Sequence, residues 1–317
     1  MNVAVVGAGL SGLMAASSLR TKGHEVVVFD KGRSPGGRLA TRRIGDARVD
    51  HGAQFFTVRS DEFADRVATW QRDDVVFEWC RGFSPTGDGY PRYAVRGGMN
   101  ALAKHIARGV DVRCDSLVFS LHRNTGGGRR DWTVRLDDGS EHDADALIVT
   151  CPLPQSFSLL VSAEVSMPEA LWRTDYDRTL ALLAVCDGPT NVPEPGGVQG
   201  AEGFTFIADN QRKGISDVTA LTMHADPAWS LAHWDDEPAA AHAALVELAA
   251  PWLGDATVVT SQLKRWRFAT PRSIWPAAWW SPDDLPSLAV AGDAFAGPRV
   301  EGAALSGLAA AAAVTAR

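Results

Sequence analysis

The sequence is poor in cysteine and tyrosine. Its four cysteines (Cys80, Cys114, Cys151, Cys186) stand far apart and form no CxxC pair. That spacing carries no metal signature and fits a reducing, cytoplasmic compartment. No apolar run reaches the roughly 18 residues a membrane span needs, so no membrane partner is expected. The Ala-rich stretch 302–317 comes closest and reads as a packed helix. The start lacks a basic n-region, and residues 3–6 are too short for a signal core. An excess of basic residues is also missing. The net charge of −7 argues against non-specific nucleic-acid binding, which depends on basic patches neutralising phosphates. There is no Ser-His-Asp order, no metal-ligand spacing and no obvious acid–base pair, and the eight histidines are scattered.

What is present is an ordinary globular composition, 45% hydrophobic and 22% charged over 317 residues, enough for about two domains. The chain is organised around its first thirty residues. Residues 2–6 read as an apolar strand, Gly7-Ala8-Gly9-Leu10-Ser11-Gly12 follows, residues 10–20 read as a helix, and residues 25–30 form a second strand ending in Asp30. This is the strand–GxGxxG–helix–strand–acid unit of dinucleotide binding. Gly7 permits the tight turn, Gly9 the approach of a pyrophosphate, and Gly12 close helix–strand packing. The helix N-terminus offers N–H donors to phosphate. Asp30 follows about twenty positions on, where a carboxylate accepts from ribose hydroxyls. A glycine-rich turn without ligand is the plainer alternative.

Further along, Gly36-Gly37-Arg38 suggests a second phosphate contact or a surface turn. Residues 49–56, Val-Asp-His-Gly-Ala-Gln-Phe-Phe, fit neither a strand nor a helix period and read as a ligand-lining loop or a buried irregular segment. Residues 61–72 have helical spacing, with Asp61 as expected N-cap. Gly97-Gly98 before a helix at 101–108 could approach a ligand or form a plain turn. Residues 124–128 read as a flexible turn, 188–203 as a loop and 258–268 as a long strand. Near the end, the strand 288–293 closes on Gly292-Asp293 before the terminal helix. An acid there sits where open α/β sheets bind ligands, or simply caps the helix.

The expected architecture is α/β: a Rossmann-type dinucleotide-binding domain from residues 1–80, 98–152 and 271–317, and a second, mixed-sheet α+β substrate domain from 81–97 and 153–270.

Together, the turn from Gly7 to Gly12, Asp30, Gly36-Gly37-Arg38 and the closing Gly292-Asp293 and Glu301-Gly302-Ala303 resemble the amine-oxidase-type FAD fold. Asp30-Lys31, Gly52-Ala53-Gln54-Phe55-Phe56, Gly98-Met99, His224-Ala225, Trp229, Arg265-Trp266 and Arg299-Val300-Glu301 make the chain most similar, within that fold, to the bacterial renalase family. The resemblance runs end to end. It implies an FAD held without a covalent bond, contacted by Gly7, Gly9, Ser11, Gly12, Asp30, Lys31, Gly37, Arg38, Gln54, Phe55, Gly292, Asp293, Arg299, Val300 and Ala303. It implies a substrate near Phe55, Arg96, His224 and Trp266, under the second domain's sheet. The implied activity is oxidation of off-pattern dihydronicotinamides (2- and 6-dihydro-NAD(P)) to NAD(P)+, with oxygen as acceptor giving hydrogen peroxide. Pro298 before Arg299, and Arg267-Phe268 in the long strand, depart from the family pattern where substrate selection could be set.

Hydride loss from a dihydropyridine leaves an aromatic pyridinium, so no general base is required, and positioning beside the cofactor is the main demand. The alternatives are an FAD-dependent amine oxidase, a desaturase of a small biosynthetic substrate, and a non-catalytic flavin-binding protein. Amine oxidases typically wall their substrate with late tyrosines, whereas Tyr90, Tyr93 and Tyr176 are the only tyrosines here. One or two of the tryptophans in the second half could wall the flavin.

Overall fold

The computed structural model describes residues 1–84, 86–124, 130–295 and 297–316. The turn expected at 125–128 and Ala296 lie outside the described residues. In chain order the elements are β1 (Asn2–Val6), α1 (Leu10–Thr21), β2 (Glu25–Phe29), β3 (Thr41–Ile44), β4 (Ala47–Asp50), α2 (Asp61–Arg72), β5 (Val76–Cys80), β6 (Arg92–Val95), α3 (Asn100–Ile106), β7 (Asp111–Arg113), β8 (Val118–Arg123), β9 (Trp132–Leu136), β10 (Glu141–Ala144) and β11 (Ala146–Val149). Then follow α4 (Leu153–Ser162), α5 (Glu169–Trp172), β12 (Tyr176–Asp187), β13 (Gly197–Ala201), β14 (Phe204–Asp209), β15 (Ala220–Ala225), α6 (Pro227–Ala232), α7 (Pro238–Leu253), β16 (Thr257–Pro271), β17 (Leu288–Val290) and α8 (Arg299–Thr315).

The chain divides into two compact units. The first comprises Met1–Gly37, Ala103–Asp175 and Pro271–Arg317, and the second Arg38–Leu102 and Tyr176–Thr270. These boundaries differ from the expected ones. Residues 38–80 and 98–102 group with the second unit because the β3–β4 hairpin packs Ile44, Ala47 and Val49 on Leu183 and Ala220 of its sheet. Residues 153–175 group with the first unit, where Ser162 of α4 accepts the Leu121 N–H of β8.

In the first unit, a parallel sheet runs in the order β17-β11-β1-β2-β7. Its inner strands β11, β1 and β2 and the edge strand β17 are largely apolar runs, whereas the edge strand β7, Asp-Val-Arg, is largely exposed. Since the strands are parallel, the Gly7 turn, Asp30, Thr150 and Gly292 all leave the sheet at one edge. The antiparallel β8–β9–β10 sheet adjoins this unit's chain, and the Trp132 indole N–H donates to Ser287 Oγ at 3.1 Å. Helices α1 and α8 pack so closely that a Cβ on Gly307 would fall 2.0 Å from Ser11 O.

In the second unit, the sheet order is β13-β14-β15-β12-β16. Leu182, Ala184, Leu221, Met223 and Ile207 face a core that also takes Ala241, Leu245 and Ala249 of α7. Strand alternation sends Phe206, Thr222 and His224 to the opposite face.

Three local expectations change. The N-cap of α2 is Ser60, whose hydroxyl accepts the Phe63 N–H, while Asp61 sits in the first turn where its charge complements the dipole. β13 lies inside the segment expected as loop. Gly196 and Gly200 adopt φ of 91° and 70° around an edge strand whose composition masks it. The β3–β4 hairpin, turning at Gly45 (φ 56°), has no apolar alternation strong enough to announce it.

Replacing Gly307 by Ala is expected to destabilise the chain by about 1–3 kcal/mol through overpacking. A lower urea midpoint measures this. An unchanged midpoint would mean that α8 can move away from α1 at no cost.

Candidate functional site

In the first unit, the turn at Gly7 (φ 104°) is held by Thr150, whose hydroxyl lies 3.0 Å from both Val6 O and Gly7 O. A Cβ on Gly12 would lie 2.0 Å from Gly7 O, so Gly12 has the expected packing role. A Cβ on Gly9, by contrast, would meet nothing within 4 Å. Gly9 is the N-cap of α1 and provides no side-chain cap. Ser11 Oγ in that first turn is buried without a hydrogen-bond partner. An open glycine, an uncapped helix start and an orphaned hydroxyl fit the pyrophosphate of a dinucleotide.

Gly36 and Gly37 make their close approach to the first turn itself. Gly36 N–H donates to Ala8 O at 2.8 Å, and a Cβ on Gly37 would lie 3.3 Å from Gly9 Cα. Asp30 joins the two loops, accepting from Ala8 N–H at 2.6 Å and Gly32 N–H at 2.7 Å. Each carboxylate oxygen keeps a second lone pair for a ribose hydroxyl. Lys31 beside it is exposed. At the far edge, Gly292 (φ 147°) donates its N–H to Ser306 Oγ at 2.9 Å, and Asp293 follows directly. Arg299 begins α8 with a strained φ of 89°, ahead of buried Val300 and half-buried Ala303. Burial pushes the Cys151 thiol up to about 12, so it is no thiolate nucleophile.

In the second unit, the irregular segment after β4 is the centre of a buried polar network. Asp50 and Lys213 form an ion pair of 2.7 Å with both side chains fully buried. The Asp50 carboxylate also accepts from Thr41 Oγ1 at 2.5 Å and Met99 N–H at 2.8 Å. Gly98 is required there because a Cβ would lie 2.4 Å from Thr41 Cγ2, so the double glycine serves this packing. His51 O accepts from Trp266 Nε1 at 2.7 Å and His224 Nε2 at 3.1 Å, and the His51 ring stacks on Trp266 at 5.4 Å. Burial and the nearby Lys264 and Arg42 push His51 down to about 3, and burial pushes His224 down to about 4. Both rings are neutral at pH 7.

Gln54 and His224 thus join one network with Trp266, whereas Phe55 lies in an aromatic cluster with Trp79, Phe83 and Phe206. Phe206 pairs in register with His224, which places that cluster on the same sheet face. Two expected residues behave differently. Arg96 is exposed, 2.7 Å from Asp74, because its strand end faces solvent, and it does not join the network. Arg38 begins the second unit rather than the glycine loop and donates from Nη1 to Ala269 O at 3.2 Å, over the Tyr176 ring. Sequence reasoning missed Asp50, His51 and Lys213. Asp50 and His51 lay inside the segment flagged for its missing period, but nothing local marked Lys213.

The model for flavin containing amine oxidoreductases matches residues 78–315, and that for NAD(P)-binding Rossmann-like domains matches residues 5–72. The chain belongs to the flavin containing amine oxidoreductase family, and FAD is its cofactor. It is 31% identical to hydroxyneurosporene desaturase of Rubrivivax gelatinosus over 113 residues, 36% of this chain and 18% of that protein. It is 29% identical over 159 residues to acetone monooxygenase (methyl acetate-forming) of Gordonia sp. (strain TY-5), 48% of this chain and 25% of that protein. The matched stretches therefore span a quarter or less of these relatives. A putrescine oxidase structure bound to putrescine superposes over 100% of both chains with a TM-score of 0.75 at 17% identity, a likeness of fold. Among the described residues no helix is long and apolar enough to cross a membrane.

Because His51 and His224 are neutral when folded and titrate near 6.5 when unfolded, unfolding takes up protons below that pH. Stability is therefore expected to fall as the pH drops from 6.5 towards 4. The melting temperature should decrease on the order of 5 °C between pH 7 and pH 5. His224→Gln keeps a donor for His51 O and should flatten that slope. An equal slope in the variant would remove His224 from the acid response.

Proposed function

We propose that this chain is an FAD-dependent oxidase of phosphate-bearing dihydronicotinamides, taking 2- or 6-dihydro-NAD(P) to NAD(P)+. With oxygen as acceptor the overall reaction is dihydro-NAD(P) + O2 + H+ → NAD(P)+ + H2O2. The observation that carries this reading is the cationic character of the sheet face beside Trp266. Arg42 donates to Gln262 Oε1 at 2.6 Å, and Lys264 lies 4.9 Å from the Trp266 ring centroid. Among the described residues neither has a carboxylate in ion-pair range. Burial and Arg42 push the Lys264 ammonium below its usual value, a shift that a bound anion would reverse. Such a face attracts a nucleotide's phosphates and repels an ammonium substrate.

Bound FAD supplies a two-electron acceptor ring. The chain's residues bind and orient. The Gly9 turn, Ser11 and Asp30 hold the dinucleotide. The Trp266–His51 stack offers a planar wall, and the aromatic cluster around Phe55 excludes water. His51 and His224 are too weakly basic to remove a proton at pH 7, which suits a donor that loses hydride alone. The cofactor is held without a covalent bond in this reading, as the family resemblance implies.

A second reading, oxidation of a small amine or desaturation of an apolar substrate, is supported by the similarity to a putrescine oxidase and to hydroxyneurosporene desaturase.

The test is anaerobic bleaching of the bound flavin across a donor panel. Rapid reduction by 6-dihydroNAD and slow reduction by putrescine or cyclohexylamine is expected, and the reverse order would establish the second reading. Substituting both Arg42 and Lys264 by Ala should raise KM for 6-dihydroNAD by about tenfold or more. KM for an N-methyl dihydronicotinamide without phosphates should change little. Equal effects on the two donors would remove the phosphate role.

A further inference from the structure

Arg42 of β3 is held beside Lys264 of β16 by an uncharged residue. Its Nη1 donates to Gln262 Oε1 at 2.6 Å. A guanidinium only donates, so the amide atom facing it is the acceptor oxygen. Gln262, Lys264 and Trp266 are alternate residues of β16 and share one face of this edge strand. Lys264 Nζ lies 4.9 Å from the Trp266 ring centroid, and Arg42 adds to burial in pushing the Lys264 ammonium below its usual value. Arg42, Gln262 and Lys264 are all half-buried, so each keeps part of its surface open. Among the described residues no carboxylate lies within ion-pair range of either cation.

The chemistry at position 262 decides what these cations can do. A carboxylate there would take Arg42 through its guanidinium fork and cancel most of its charge. It would also stand two residues from Lys264 on the same face, within reach of the ammonium. An apolar side chain would leave the charge and lose the orientation. The amide oxygen avoids both outcomes. It fixes Arg42 through a neutral dipole and leaves the positive charge uncompensated.

We infer that Gln262 is a positioning residue that makes the Arg42–Lys264 face selective for anions: it orients Arg42 without neutralising it. A phosphate-bearing ligand then meets two cations, and an ammonium-bearing one meets repulsion. The nucleotide as ligand rests on the function proposed above. Selection of an anion by a neutral partner at 262 does not.

The test uses the holoenzyme, so that bound FAD keeps the probe out of the first unit's phosphate turn. The probe is inorganic pyrophosphate, titrated calorimetrically at low salt. Wild type should bind it, Gln262→Leu about threefold more weakly and Gln262→Glu at least about tenfold more weakly. Gln262→Glu is isosteric and gains a partner in Arg42, so its melting temperature should equal or exceed that of wild type. In turnover, Gln262→Glu should raise KM for 6-dihydroNAD by about tenfold with kcat unchanged. Both constants for an N-methyl dihydronicotinamide should stay as in wild type, a split that general damage to the fold would not produce. If no form of the protein oxidises 6-dihydroNAD, the proposed function fails, and the pyrophosphate titration still decides the role of Gln262. The inference is overturned if wild type does not bind pyrophosphate, if folded Gln262→Glu binds it as wild type does, or if Gln262→Leu loses as much as Gln262→Glu.

Discussion

The buried ion pair between Asp50 and Lys213 is the constraint on which the second unit depends. Both side chains are fully buried at 2.7 Å. Removing two charges from water is expensive, and the attraction between them compensates only when the remaining lone pairs and protons are also used. Here the carboxylate takes Thr41 and Met99 besides Lys213, and the ammonium lies 5.4 Å from the Trp79 ring centroid. Breaking one side would strand a charge and cost about 3–5 kcal/mol. The pair thus ties the end of β4 to the turn before β15 and to the start of α3. The His51 and Gln54 segment hangs from this anchor, and so do the stack on Trp266 and the bond to His224.

An apolar pair could have filled the same volume at similar stability. What an apolar pair would lack is direction. Hydrogen bonds from Thr41, Met99 and Lys213 converge on one carboxylate and fix the backbone beyond it more closely than packing would. A segment that must hold the His51 carbonyl towards both Trp266 and His224 needs that kind of anchor.

The first unit was legible in the sequence because its signals are local. The Gly7 turn, helix α1 and the strand ending in Asp30 each lie within a dozen residues of chain and follow backbone rules. Even there, the meaning of some residues needed the structure. Gly36 and Gly37 approach the Gly9 turn, and Asp30 ties the two loops with backbone bonds. Ser306 and Gly307 became intelligible once β17 and α1 were seen to touch them. In the second unit the missing period at 49–56 announced that something other than a regular element was there. It could not announce Lys213, which lies 163 residues from its partner. A buried lysine has no local signature, since its burial is decided by a partner elsewhere. The edge strand β13 was hidden for the opposite reason: its glycines describe a loop, and only the neighbour β14 makes it a strand.

The electrostatics of the two units are opposite in kind and complementary in use. The first unit offers backbone N–H groups and an uncapped helix start, which are dipoles needing no counter-charge. The second presents real charges, Arg42 and Lys264, which have no carboxylate in ion-pair range among the described residues and which lower the His51 pKa. Half-buried cations beside a weak base are favoured when a ligand's charge completes them. If that ligand also carries an aromatic ring, the stack on Trp266 and the neutral histidines are parts of one recognition surface. These are the features on which the proposal of a dihydronicotinamide nucleotide rests.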